Sequence, residues 1–346
     1  MIKAGLIGAT GLSGIELVRL LHEHPEVEFS LLSSQTYSRE KIADIYPHLL
    51  GKVDIQLTDL DMDEMVSKSD VIFVALPHGH SADIIKKARG ADRKVIDLGA
   101  DYRFDDLNVY ESWYETEHNG SELLSEAAYG LPEANRQLIK ESRIIANPGC
   151  YPTSAVLALM PALRNNLIEI EDIIIDSKSG VSGAGRKLDV DFLYSTCNES
   201  VGAYKIASHR HTPEIEQELS KIAGEPVSLL FTPHLIPMTR GILTTAYAKI
   251  KDSCSSEEAR EIYGKAYENE PFVNLLESGV WPRTKWVSGS NNCYVNIQLD
   301  EKSGRLIVVS VIDNLIKGAA GQAIQNMNLV FGFDEESGLK NTAIYP

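Results

Sequence analysis

The chain is poor in cysteine, short of positive charge and without a long apolar run. Its four cysteines, Cys150, Cys197, Cys254 and Cys293, show no Cys-x-x-Cys pair in 346 residues. That spacing suggests neither a zinc site nor a disulfide framework, so no metal and a reduced, cytoplasmic setting are expected. Basic residues number 33 against 49 acidic ones. This balance argues against nucleic acid or an anionic membrane as partner, while a small anionic substrate needs only a local basic pocket. No apolar run approaches the ~20 residues of a membrane span. Met1 to Gly8 leads straight into a strand, so no signal peptide is expected. Internal repeats and low-complexity segments are also lacking. The length suits two domains, each with a substantial core.

What is present centres on Asn147-Pro148-Gly149-Cys150-Tyr151-Pro152-Thr153. Arg143 to Ala146 reads as the end of a buried strand, and Pro148 and Gly149 break it. A helical pattern follows, with Ala155, Val156, Leu159, Met160 and Leu163 on one face. Cys150 is therefore expected where a strand hands over to a helix. The N–H groups and dipole of a helix start favour a thiolate, and Gly149 leaves the approach open. Those are the needs of a nucleophile.

The first half alternates strands and helices. Ile2–Ile7 is an apolar strand that runs into Gly8-Ala9-Thr10-Gly11-Leu12-Ser13-Gly14. A helix follows with Leu12, Ile15, Val18 and Leu21 on one side and Glu16, Arg19 and Glu23 on the other. Strand, glycine turn and helix together suit a pyrophosphate at a helix N-terminus. The spacing is G-x-x-G-x-x-G rather than the commoner G-x-G-x-x-G. Gly8, Thr10, Gly11, Leu12, Ser13 and Gly14 are the expected cradle. The next strand, Val27 to Leu32, ends in Ser33 and Ser34, with Arg39 beyond, where an NAD site usually carries an acid. Hydroxyls and a cation there favour a 2′-phosphate, hence NADP (NADPH). Strands are also expected at Asp70–Pro77, running into the cofactor-side loop His78–Ser81, and at Lys94–Gly99. Arg103 lies beyond the latter, where it can hold an anion bidentately. Residues 105–142 read as an irregular excursion over the active-site face.

In the second half, Asp172–Lys178 reads as a strand leading into Ser179 to Arg186, a glycine-rich loop without Walker spacing. Ser182 and Gly183 in this loop are expected near nicotinamide or substrate. His209-Arg210-His211-Thr212-Pro213-Glu214 places two histidines before a helix, with Thr212 as N-cap and Pro213 as its first residue. An imidazole there can exchange protons, and Arg210 can pair with a carboxylate or phosphate. Strands at Pro226–Phe231, Gly241–Ile250, Cys293–Leu299 and Arg305–Val311 imply an antiparallel or mixed sheet, the last two as a hairpin. From Asp313 a helix runs to about Leu329, its Gly/Ala face packing closely against the first domain or the cofactor.

Gly8-Ala9-Thr10-Gly11, the Asn147–Thr153 segment, His209–Glu214 and Asp313–Ala323 together resemble the N-acetyl-γ-glutamyl-phosphate reductase family, relatives of aspartate-semialdehyde dehydrogenase. The resemblance spans essentially the whole chain. It implies an α/β Rossmann-type NADP-binding domain, residues 1–148 with about 314–346, whose C-terminal helix returns to it. It also implies an α+β catalytic and dimerisation domain, residues 149–313, in a homodimer or homotetramer. The activity implied is NADPH-dependent reduction of an acyl phosphate to a semialdehyde and phosphate, through a thioester on Cys150. Either His209 or His211 is the base, and alignment with the related Arg-Cys-His points to His211. Asn147, Arg103 and Arg210 fall to the substrate, and Asn314 to the cofactor. The rival readings are the lysine-pathway reductase of a one-carbon-longer substrate, aspartate-semialdehyde dehydrogenase itself, and a non-catalytic NADP sensor.

Overall fold

The computed structural model describes residues 1–186 and 188–345. The chain divides into two compact units: residues 1–148 with 319–340, and residues 149–318 with 341–346.

The first unit is a six-stranded parallel sheet. Its strands are β1 (Ile2–Ile7), β2 (Val27–Ser33), β3 (Val71–Val74), β4 (Lys94–Asp97), β5 (Ala127–Tyr129) and β6 (Ile144–Ala146). Their order is β2-β1-β3-β4-β6-β5. The chain therefore reverses its direction of growth between β1 and β3, the switch point at which open α/β sheets take ligands. Strands β3 and β6 are buried along their whole length, because helices cover both faces. Helices Leu12–His22, Pro132–Glu141 and Gly321–Phe331 pack together on one face, and Met62–Lys68 and Ala82–Gly90 on the other.

Several expectations need correcting here. The stretch 105–142 is ordered: it holds helix Leu107–Tyr114, a 3₁₀ turn at Ser121–Glu126, strand β5 and helix Pro132–Glu141. A three-residue strand has no readable period, and the last helix is broken by non-helical backbone at Asn135, which blurs its 3.6-residue pattern. Glu16, expected on the solvent side, is 7 % exposed and paired with Arg19 at 2.8 Å.

The second unit is a seven-stranded mixed sheet. It contains β7 (Ile173–Ser179), β8 (Gly202–Ala203), β9 (Leu229–Leu235), β10 (Ile242–Lys249), β11 (Val273–Leu275), β12 (Cys293–Asp300) and β13 (Arg305–Ile312). The order is β11-β12-β13-β10-β7-β9-β8, with β12 and β13 forming the expected hairpin. Helix Cys150–Arg164 lies across β10 and β13, flanked by helices His211–Ala223 and Ser256–Tyr267. Strands β7 and β10 alternate buried and half-buried residues, as a sheet covered on one face should. Ser154 Oγ reaches Thr244 Oγ1 at 2.9 Å and Ser310 Oγ at 2.7 Å, so the helix is tied to the sheet by hydroxyls as well as by packing. Strand β9 begins at Leu229, three residues later than Pro226, where the sequence pattern put it.

Candidate active site

The helix carrying Cys150 starts at that residue, with Gly149 as its N-cap. Pro152 sits inside the first turn, where its missing N–H costs no intrahelical bond, so the helix begins earlier than the prolines suggest. Apart from half-buried Cys150 and exposed Arg164 at its ends, the helix is buried on every side. Cys150 thus stands at the positive end of a helix sealed into its unit.

The histidine-bearing helix is His211–Ala223, with Arg210 at its N-cap. The expected N-cap, Thr212, lies within the first turn. The reason is local: His209 Nδ1 accepts the His211 backbone N–H at 3.1 Å, and the His209 carbonyl accepts that of Thr212 at 2.9 Å. The ring of His209 does the capping that a Thr hydroxyl was expected to do. With Nδ1 as acceptor, a neutral His209 carries its proton on Nε2.

Tyr151 gathers both imidazoles. Its ring meets His209 edge-on at 5.5 Å and His211 at 5.9 Å, and the two imidazoles are 4.8 Å apart. Tyr204 and Phe231 complete the wall around His209, and the hydroxyls of Tyr151 and Tyr204 are 2.9 Å apart. In this aromatic cage burial is the main cause that pulls His209 down to about 2; His211, Lys205 and Arg210 add to it, and Glu214 opposes. His209 is therefore a neutral imidazole across the working pH range. Burial also pushes the Tyr151 and Tyr204 hydroxyls upward.

Two contacts in this site were not foreseen. Fully buried Glu214 accepts the Gly149 N–H on Oε1 at 2.8 Å, so the histidine helix grips the start of the cysteine helix. Its place three residues after His211, on the same helix face, was a readable signal. Gly318 lies against Cys150: a Cβ added there would stand 2.7 Å from the Cys150 Cβ. Gly318 thus packs on the cysteine, and the turn Ile316–Ala320 that holds it is a π-helix rather than the start of a plain α-helix. Asp313 steadies that turn by accepting the N–H groups of Leu315, Ile316 and, from another loop, Gly289. Asn314 accepts the Gly241 N–H at 2.7 Å and donates to Ser182 Oγ at 3.0 Å. Ser182, Gly183 and Asn314 therefore form one cluster at the start of β10, with a Gly183 Cβ position 3.0 Å from Ser179 Oγ.

In the first unit the glycine turn follows β1 at the switch point. A Cβ on Gly8 would strike the Ala75 carbonyl at 2.4 Å, and one on Gly14 the Gly8 carbonyl at 2.2 Å. Both glycines are required by close backbone approach. Gly11, the N-cap of helix Leu12–His22, is different: its Cβ position meets nothing nearer than 3.5 Å, and as a glycine it brings no capping side chain of its own. A glycine N-cap lets a ligand approach the backbone closely, as a pyrophosphate does at a helix start. Leu12 and Ser13 are half-buried beside it. Ser33 and Ser34 are buried; Ser34 Oγ lies 2.8 Å from Thr10 Oγ1, tying the end of β2 to the turn. Arg39 is exposed beyond them, and Pro77 is exposed on the loop after β3.

Arg103 and Asn147 are more deeply built in than an anion clamp at a surface would be. Arg103 is 7 % exposed and donates to the carbonyls of Leu98 and Asn147, both at 2.8 Å. Asn147 donates to the Ala319 carbonyl at 3.1 Å and accepts from Asn326 at 3.0 Å. These two residues lock the strand ends that precede the cysteine.

The other thiols stand elsewhere. Cys293 is buried in β12, as a packing residue should be. Cys254 is half-buried, and its thiol is pushed up by burial and then by Glu258. It lines an open hollow of about 650 Å³ with Arg164, Asn165 and Asn166. That hollow is at the far end of the Cys150 helix, roughly 20 Å along its axis at 1.5 Å per residue. Among the described residues no cluster of His, Cys, Asp or Glu is arranged to hold a metal, and no helix is long and apolar enough to cross a membrane.

Known proteins with this arrangement agree in both units. Residues 3–142 match the semialdehyde dehydrogenase NAD-binding domain, and residues 150–314 the semialdehyde dehydrogenase dimerisation domain. The chain is similar to aspartate semialdehyde dehydrogenase II of Vibrio cholerae, with a TM-score of 0.72 at 18 % identity over 96 % of this chain and 98 % of that one. It is likewise similar to the Candida albicans aspartate semialdehyde dehydrogenase solved with NADP, with a TM-score of 0.71 at 18 % identity over 96 % and 98 %. These likenesses concern the fold. In sequence it is 52 % identical to an N-acetyl-gamma-glutamyl-phosphate reductase of Pelotomaculum thermopropionicum, over 100 % of this chain and 99 % of the relative. It is 53 % identical to one of Moorella thermoacetica over the whole of both chains. Full-length identity of this order, with both domains matched in sequence order, places the chain in the N-acetyl-gamma-glutamyl-phosphate reductase family of semialdehyde dehydrogenases, nicotinamide-dependent oxidoreductases.

Proposed function

We propose that the chain reduces N-acetyl-γ-glutamyl phosphate to the semialdehyde and phosphate, with NADPH as reductant, as a cytoplasmic enzyme of arginine biosynthesis. The observation that carries the reading is the Cys150 helix start, gripped at Gly149 by Glu214, with the next residue, Tyr151, in ring contact with both imidazoles. The Cys150 thiolate, favoured by the helix N-terminus, attacks the acyl-phosphate carbonyl. Backbone N–H groups of the helix's first turn steady the oxyanion, phosphate leaves, and a thioester to Sγ remains. The nicotinamide cofactor, when bound, supplies the hydride that reduces this thioester. His211 takes the thiol proton at the start and exchanges protons as the aldehyde leaves, while His209, held neutral, orients it. Arg103 and Arg210 are the cations we assign to the substrate, and Asn147 orients Arg103.

The Gly8–Gly14 turn, the loop at Pro77 and the Ser182, Gly183 and Asn314 cluster are assigned to the cofactor. Gly11, a helix N-cap without a side chain and with nothing nearer than 3.5 Å to its Cβ position, supports a pyrophosphate there. Ser33, Ser34 and exposed Arg39, in place of an acid, support a 2′-phosphate. A homodimer or higher assembly would use the sheet face opposite the helices, where Ile174, Leu243, Tyr247, Ile307 and Val309 remain half-buried.

The test is phosphate-dependent oxidation of N-acetylglutamate semialdehyde, run with NADP⁺ and NAD⁺ and against aspartate semialdehyde. We expect preference for the N-acetylated substrate and for NADP⁺. Preference for aspartate semialdehyde would replace the substrate assignment. Equal efficiency with NAD⁺ would remove the role given to Ser33, Ser34 and Arg39. Binding of NADP⁺ without turnover would make the chain a sensor.

A further inference from the structure

The carboxyl ends of β3 and β4 carry a second polar cluster, in which the aspartates have been given no role above. Asp97 ends β4 and is fully buried, and Asp101, four residues on, is 2 % exposed. Ser81, on the loop after β3, reaches both. Its Oγ is 2.9 Å from Asp97 Oδ2 and 2.7 Å from Asp101 Oδ2. A hydroxyl has one proton to donate, and an ionised carboxylate only accepts. With both acids ionised, one of these contacts would hold two oxygens together with no proton between them. A proton must therefore come from one of the acids.

The surroundings say which. Asp101 accepts on Oδ1 from the Gly79 N–H at 2.7 Å and the Tyr110 hydroxyl at 2.9 Å, and on Oδ2 from the Ser81 N–H at 3.2 Å and the Ser81 hydroxyl. Four donors suit the four lone-pair sites of an ionised carboxylate. Asp97 accepts the Gly99 N–H on Oδ1 at 2.9 Å, and its Oδ2 faces Ser81.

We propose that Asp97 is a protonated acid donating to Ser81, that Ser81 donates to ionised Asp101, and that this chain sharing one proton is a positioning device. It ties the loop Gly79–Ser81 after β3 to the loop Gly99–Arg103 after β4. Burial first, and the Asp101 charge second, push Asp97 up to about 7, against the pull of Gly99, Ser81 and Arg103. The other ionisable groups facing the pair are Tyr102 after β4, Tyr110 on helix Leu107–Tyr114, and His118, whose Nε2 contacts the Asp101 carbonyl. Both tyrosine hydroxyls are pushed upward, mainly by burial, and keep their protons. Loss of the shared proton puts two carboxylates across one hydroxyl, which like charges resist. The consequence for binding rests on the reading above that the carboxyl-end loops hold the cofactor. NADPH affinity then falls as the pair loses its proton.

The direct test is infrared difference spectroscopy of the wild-type protein against Asp97→Asn. Asparagine keeps a donor toward Ser81 and cannot ionise. We expect the C=O stretch of a protonated carboxylic acid in the wild type at about pH 5.5, fading by about pH 8.5. Tyr110→Phe removes one donor from Asp101, so the pair should hold its proton more tightly and the midpoint should rise. This variant serves if Asp97→Asn does not fold. No acid signal in the wild type, the same signal in Asp97→Asn, or an unmoved midpoint in Tyr110→Phe overturns the shared proton. NADPH binding, read by nicotinamide fluorescence, should weaken about tenfold one pH unit above the midpoint if only the protonated pair is competent, and Asp97→Asn should lack that loss. An identical pH dependence in both proteins overturns the positioning role. The infrared result does not depend on substrate, so failure of the proposed reaction would leave it standing.

Discussion

The cluster around Cys150 and the cluster at the ends of β3 and β4 meet burial in opposite ways. In the first, an aromatic cage strips the proton from a base, and His209 is drawn down to about 2. In the second, a dry carboxyl pair keeps a proton on an acid, and Asp97 is pushed up to about 7. Both outcomes remove a charge that burial disfavours, around half-buried His209 as at fully buried Asp97. The difference lies in what remains. The Cys150 cluster keeps a neutral imidazole beside the second histidine and the helix dipole, which suits proton exchange at a nucleophile. The aspartate pair keeps a hydrogen-bonded chain, which suits holding two loops in register.

The largest effect should come from Cys150→Ala. Turnover should vanish while NADPH binding survives, since the substitution leaves the Gly8–Gly14 turn untouched. Mass spectrometry after mixing with the acyl phosphate should show no acyl-enzyme. An active variant would mean hydride transfer to the substrate directly, and the nucleophile would have to be given up.

Next come the histidines. His211→Asn should cut turnover by ~10²–10⁴-fold, the usual worth of a general acid–base. His209→Asn should cost much less, since that ring is already neutral and acts by accepting the His211 N–H. Steady-state rates and their pH profiles separate the two; a larger loss at His209 would exchange their roles.

Gly318→Ala probes the contact that the sequence did not reveal. The new methyl meets the Cys150 Cβ at 2.7 Å, so either the π-turn or the cysteine must move. Overpacking of this kind costs about 1–3 kcal/mol. Thermal unfolding should show the loss of stability, and alkylation should show a changed rate at Cys150. A variant of unchanged stability and alkylation rate would mean that the turn gives way freely.

The smallest and sharpest test sets the two clusters against each other by pH. Asp97 binds its proton more tightly folded than unfolded, 3.8 rising to about 7. Its contribution is present below pH 3.8 and is lost as pH rises towards 7. His209 binds its proton less tightly folded, 6.5 falling to about 2. Its contribution is present above pH 6.5 and is lost as pH falls towards 2. The stability gap between the wild type and Asp97→Asn should therefore shrink with rising pH, and the gap to His209→Asn should widen. Each slope is limited to about 1.4 kcal/mol per pH unit, the worth of one proton. Chemical denaturation of the three proteins between about pH 4 and 6.5 checks both signs. Parallel curves would show that neither group is held away from its ordinary charge.

By itself the sequence determined the elements with a long period or a strong punctuation mark. Strand β1, the glycine turn, the helix after it and the β12–β13 hairpin are all legible, because local sterics and hydrophobic alternation act within a few residues. The placement of Cys150 at a strand-to-helix handover was legible for the same reason: Pro148 and Gly149 leave the chain few alternatives. Tertiary structure alone decided the rest. Strand β5 is three residues long and exists only because β6 pairs with it. The start of the histidine helix moved to His211 because a ring two residues earlier caps it. The closeness of Gly318 to Cys150 joins residues 168 positions apart in the chain. The protonation of Asp97 depends on a serine from another loop and on the exclusion of water. Pairing across a sheet, close contact between distant segments and the loss of solvent all act through space, and a residue's neighbours in sequence carry no record of them.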